Sequence, residues 1–131
     1  MQTQALQQAE AAHDQFPRSR GIARQYVEAM LLAGRAEDAA RYLRDQVQLY
    51  RSEPKLHDLL AKTYAAQGKI ALQHMALAES YALRGAQLAA LGQLTLARNS
   101  GDASFYELSE IDAREREWQA RRREEMKEAR K

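Results

Sequence analysis

The feature that leaves this chain the fewest folding choices is a repetition. "LAKTYAAQG" at residues 60–68 and "LAESYALRG" at residues 77–85 share the pattern Leu-Ala-x-x-Tyr-x-x-x-Gly and start seventeen residues apart. A chain that repeats at a short fixed period builds one small unit again and again, and each copy buries its apolar face against its neighbours. A ruler of that length carried along the sequence lands on punctuation throughout. It meets Pro17 in "HDQFP", Gly34 in "LLAGRAED", Arg51 opening "RSEP", then Gly68, Gly85, and Asp102 in "NSGD". Each mark is a helix stop signal or lies within a few residues of one.

Between the marks the apolar residues keep helical spacing. Tyr26, Val27, Met30 and Leu31 make one stripe, Leu56, Leu59, Leu60 and Tyr64 a second, and Leu88, Leu91 and Leu94 a third. Ala, Leu, Gln, Glu and Arg dominate the chain, β-branched residues are scarce, and there are only two prolines and six glycines. The spacing predicts seven helices, at 3–15, 19–33, 36–50, 54–67, 70–84, 87–99 and 103–125. Short turns force sequential helices to pack antiparallel. The expected fold is all-α: a right-handed α-solenoid of antiparallel helical hairpins over residues 1–126, with a frayed charged tail at 127–131. Like charges four apart (Arg123 and Lys127, Glu124 and Glu128) set that last boundary, and Glu117 with Arg121 is the one favourable pair before it.

Two helices and their turns span thirty-four residues, the period of the tetratricopeptide repeat, and the residues resemble that family's signature. His57, Leu60-Ala61, Tyr64 and Gly68 fit its first helix, and so do His74, Leu77-Ala78, Tyr81 and Gly85. Ala39 with Leu43 and Ala90 with Leu94 fit its second helix, where a small residue lets the two helices cross closely, and Pro17 fits the closing proline. The two first-helix copies overlap, and Gln73 stands where an alanine is expected, so the array should be irregular there. Ala5, Ala9 and Ala12 fit a second helix without its first, which implies a piece of a longer protein.

At 131 residues, 45% hydrophobic and 29% charged, the chain is one folded domain at most. Its net charge of +2 comes with acidic residues interleaved through the basic tail "RRREEMKEARK", which makes a poor footprint for nucleic acid. No cysteine is present, so disulfides, thiolate metal sites and cysteine nucleophiles are excluded. No apolar run reaches membrane-spanning length, so no membrane insertion is expected.

Catalytic patterns are missing. Glu37-Asp38 and Glu124-Glu125 are neighbours on helical surfaces, and the first pair sits at a helix start that favours negative charge. No glycine-flanked nucleophile turn or phosphate-cradling loop occurs. His57 and His74 occupy equivalent places on successive helices, where a packing aromatic is expected; two ligands fall short of a zinc site. The expectation is therefore a non-enzymatic binding scaffold with no cofactor and no metal. Its candidate concave-face residues are Arg24, Gln25 and Glu28, then Asp58 and Lys62, with Glu79 beyond. A repeat subclass that clamps a terminal carboxylate carries Lys and Asn on adjacent turns; Arg24 and Glu28 stand there, and Glu28 repels a carboxylate. Trp118, seven residues after Ile111, should pack a closing helix back on helix 87–99.

The stretch from "FPRSRGIARQYVEAMLLAGRAEDAARYL" through "LQHMALAESYALRGAQLAALGQLTLAR" to "GDASFYELSEIDAREREWQAR" resembles the C-terminal repeat region of BepA-type periplasmic zinc metalloproteases. Phe105-Tyr106 and Ile111-Asp112-Ala113-Arg114 carry the most distinctive part of that resemblance. The family's His-Glu-x-x-His motif is absent, since none of His13, His57 or His74 has a histidine four residues away. The resemblance implies the non-catalytic half of such a protease, with zinc in a separate catalytic domain. It implies a periplasmic location, and as partners the chain's own protease domain, polypeptide substrates and the outer-membrane assembly machinery. The alternative from the residues alone is a free-standing adaptor that joins two partners through the same groove.

Overall fold

The computed structural model describes residues 2–131. Seven helices fill them: α1 (Gln2–Gln15), α2 (Arg20–Leu32), α3 (Ala36–Leu49), α4 (Pro54–Ala66), α5 (Ile70–Leu83), α6 (Gln87–Arg98) and α7 (Phe105–Ala129). The architecture is an all-α array of antiparallel helical hairpins, as the period requires. The first six helices start and stop within a residue of the expected bounds. The last one runs on to Ala129, through the region where repulsion four residues apart should fray it. Pairs three apart (Glu124 with Lys127 at 3.6 Å, Glu128 with Lys131 at 3.5 Å) offset that repulsion. The Gln87 side-chain amide also ties Glu125 to α6 at 2.6 Å.

Turn chemistry explains the regular stops. Gly34, Gly68 and Gly85 have φ of 76°, 70° and 79°, a left-handed conformation that costs an L side chain energy. Each permits the same closure, in which two amides past the helix end reach back to its last carbonyls. At the end of α4, the Gly68 amide donates to the Ala65 carbonyl and the Lys69 amide to the Tyr64 carbonyl, both at 3.0 Å. Starts vary more. Ser19 caps α2 by accepting from the Ile22 amide, and Ser104 with Glu107 forms a reciprocal capping box on α7. Helix α5 has no cap of its own. Its Ile70 and Ala71 amides donate instead to the Asp102 carboxylate, at 2.7 and 2.8 Å, from the loop after α6.

The buried residues form two clusters. The first gathers Leu6, Val27, Met30, Ala39, Ala40, Leu43, Leu56, Leu60, Ala61, Tyr64 and Ala76 from α1 to α5. The second gathers Ala78, Ala90, Leu94, Ala97, Ile111 and Trp118 from α5 to α7. The third expected stripe is corrected at one position: Leu88 is 65% exposed, whereas Leu94 is buried with Ala90 and Ala97, and Leu91 packs partly buried against them. Helix α6 lies tightly between α5 and α7, and small residues fit that narrow space. Trp118 and Ile111 do close α7 onto α6, and onto α5 as well. At the edge of the first cluster an aromatic knot ties α1 to α2 and α3. The His13 ring stacks on Tyr26 at 5.0 Å and shares a 2.8 Å hydrogen bond with Tyr42, whose hydroxyl is pushed up to about 12 chiefly by burial.

The overlapping signatures have a structural counterpart. In the first half α2 packs against α4, whereas in the second half α5 packs against α7. Neither α3 with α5 nor α4 with α6 makes such a contact among the described residues. The role of inner helix therefore passes from α4 to α5, the two helices that carry the same motif. Their equivalent tyrosines differ accordingly, with Tyr64 buried and Tyr81 partly exposed.

Two measurements check this account. Gly68→Ala should cost about 1 kcal/mol in urea unfolding, from backbone strain alone, because a Cβ there would meet nothing within 4 Å. An unchanged stability would mean that Gly68 does not hold its left-handed turn. Asp102 supplies a pH test. The Ser100 hydroxyl first, then the Ala71 and Ile70 amides, hold its carboxyl below the ordinary value of 3.8. Its contribution is present above the unfolded pKa and is lost as pH falls through the lower folded value. The melting temperature should thus decline below pH 3.8, and Asp102→Asn should flatten that part of the curve.

Candidate functional site: a groove floored by α5

The change of inner helix opens a groove. Helices α4 and α7 stand on either side of α5, and the side of α5 between them carries Leu72, Met75, Glu79 and Leu83. Those positions recur every three or four residues, so one helix face makes the floor. From α4 come His57, Leu60 and Tyr64, and from α7 come Glu110, Arg114, Glu117 and Arg121. The end of α3 and the turn after it close one side with Val47, Gln48 and Arg51. The recess has two lobes of about 510 and 400 Å³, the first apolar around Leu72 and Met75, the second more polar.

An ion pair separates the lobes. The Arg114 guanidinium donates to Glu79 at 2.7 Å from above and to Glu117 along its own helix at 2.9 Å. It also lies over the Trp118 ring at 5.7 Å. Arginine suits this place because its planar fork can serve two carboxylates and a ring face together. Burial pushes the Glu79 carboxyl up, and Arg114 pulls it partly back. Burial likewise lowers the His57 imidazole below its ordinary 6.5, which keeps it neutral at neutral pH. The groove thus offers apolar contact at one end and charge-assisted hydrogen bonding at the other.

The six residues expected on one concave face are spread over several places. Arg24 and Asp58 line a cleft between α2 and α4, where Asp58 is engaged by Arg84 at 2.7 Å. Gln25 and Glu28 line a different recess, against Ala5, Ala9 and Ala12 of α1. Lys62 is exposed on α4 and lines none of these recesses. Only Glu79 reaches the groove, and there it is bound to Arg114 rather than turned freely to solvent. The two histidines also part company: His57 lines the groove, while His74 bonds Gln93 at 2.7 Å on the seam between α5 and α6.

Arg114, Glu117 and Arg121 escaped selection by sequence, although their spacing of three and four places them on one face of α7. No protein-family model matches this chain, and no curated protein matches it in sequence.

Replacing Arg114 by alanine should raise the Glu79 carboxyl further, because burial then acts unopposed. Carboxyl-detected NMR titration measures this directly. A Glu79 titration curve that stays in place would mean the pair does not form in solution.

Proposed function

We propose that this domain binds polypeptide, taking an extended or partly folded segment into the groove between α4 and α7 without carrying out a reaction on it. The observation that carries this reading is the half-open floor of α5. Leu72 and Met75 stay only partly buried beneath two flanking helices, so apolar surface is left for a partner to cover. Helical arrays use such surfaces as extended binding faces.

Two further parts of the proposal rest on the resemblance in "GDASFYELSEIDAREREWQAR" and the tetratricopeptide pattern. The domain is the substrate-binding repeat region of a BepA-like metalloprotease, and it presents its cargo to a separate zinc-bearing protease domain. It works in the periplasm, in the quality control of outer-membrane protein assembly. The repeat pattern, the closing α7 and the conformity of Ile111 and Trp118 to a packed cap support that assignment.

Trp118 is the single tryptophan and lines the groove, so its fluorescence reports occupancy. Lactalbumin has tryptophans of its own, so reduced, carboxymethylated lactalbumin, a permanently unfolded chain, is dye-labelled instead, and its anisotropy should rise on titration with the domain. Leu72→Gln with Met75→Gln should weaken binding about tenfold, the loss of about 1.4 kcal/mol of apolar contact. Circular dichroism should stay helical. Arg24→Glu and Lys62→Glu probe the opposite placement. If those two weaken binding and the groove substitutions do not, the binding surface lies on the α2–α4 side.

A further inference from the structure

The charges along the groove fall into two sets. Glu79, Arg114, Glu117 and Arg121 satisfy one another in a chain of ion pairs. Glu110 and Arg51 have no ion-pair partner among the described residues, and they stand at opposite ends. Glu110 borders the apolar lobe beside Ile111. Arg51 borders the polar lobe, in the turn after α3, where its guanidinium donates only to Gln48, at 3.3 and 3.4 Å. The groove is therefore graded twice, from apolar to polar and from an unpaired acid to an unpaired cation.

A ligand that fits this gradient has a definite form. From Met75 to Leu83 the floor advances eight residues, about 12 Å of helix. An extended chain advances about 3.3 Å per residue, so that distance takes about four residues. A carboxylate at the far end meets Arg51 with Arg121 beside it, a geometry in which guanidinium groups bind strongly. A cation there finds the Glu117 carboxylate already held by Arg114 and Arg121. An acid at the near end meets Glu110.

Resting on the reading of the groove as polypeptide-binding, we propose that its occupant is an extended segment with a large apolar side chain and, about four residues away, an acidic one. The apolar group sits on Leu72 and Met75, and the acid is held by Arg51. The charge gradient orients the segment, because the reversed placement would set its acid against Glu110.

Short labelled Gly/Ser peptides test this with the full chain, read by anisotropy and by Trp118 fluorescence. One carries Leu and, about four positions on, Asp; a second carries Lys in place of that Asp. The acidic peptide should bind about tenfold more tightly than the basic one, and added salt should shrink the difference. Arg51→Glu, a change in an exposed turn, should reverse the preference. Equal affinities, an unchanged preference in Arg51→Glu, or binding of carboxymethylated lactalbumin with no peptide binding would overturn the charge assignment and leave the groove reading intact. Failure of every peptide and of lactalbumin would overturn both.

Discussion

Helix α5 has to be buried on two opposite sides at once, and the rest of the molecule is arranged around that demand. Ala76 belongs to one buried cluster and Ala78 to the other, and two positions along a helix turn through about 200°. Ala71 and Ala78 share one side, Ala76 and Ser80 the other, and all four are buried. Small side chains on both sides let α4 and α6 approach closely, so each core is completed by the same helix. A bulkier residue at either place would push one neighbour away and separate the halves of the array. The amino end of this helix is likewise held by the loop after α6, through Asp102.

From that double burial comes the groove. Because α5 takes over the inner position from α4, it faces α7 while α4 remains beside it. A strictly regular array would keep alternate helices in one row; here the row steps over by one helix. The step leaves a strip of α5 with a helix on each side and no helix above it. Leu72 and Met75 lie in that strip, and the Arg114–Glu79 pair spans it. The irregularity and the candidate site are thus one feature, seen first as packing and then as surface.

Charge then shapes what the strip can accept. Arg114 is anchored by Trp118 beneath and by two carboxylates, so it holds a fixed place rather than sweeping through solvent. Being half-buried strengthens its bond to Glu79 and raises the cost of leaving either group alone. The outer charges, Glu110 and Arg51, carry no such obligation and remain available to a partner.

Local chemistry by itself determined the helices and, for all but α7, where they stop. Glycines at 34, 68 and 85 can adopt a left-handed turn wherever they occur, and alanine at 39, 61, 78 and 90 permits close crossing wherever two helices meet. Those properties belong to short segments and are legible without any partner. The same is true of Ile111 and Trp118, whose spacing alone puts them on one face of α7. Tertiary structure decided which residues of a repeated motif are buried. "LAKTYAAQG" and "LAESYALRG" give the same helix and turn, yet Tyr64 is buried and Tyr81 is not, because burial depends on neighbours far along the chain. For that reason Leu88 reads as core and lies outside, and of six polar residues that read as one face five divide among separate recesses and Lys62 lines none. The pairing of Glu79 with Arg114 joins positions thirty-five residues apart, a distance that no helical period connects.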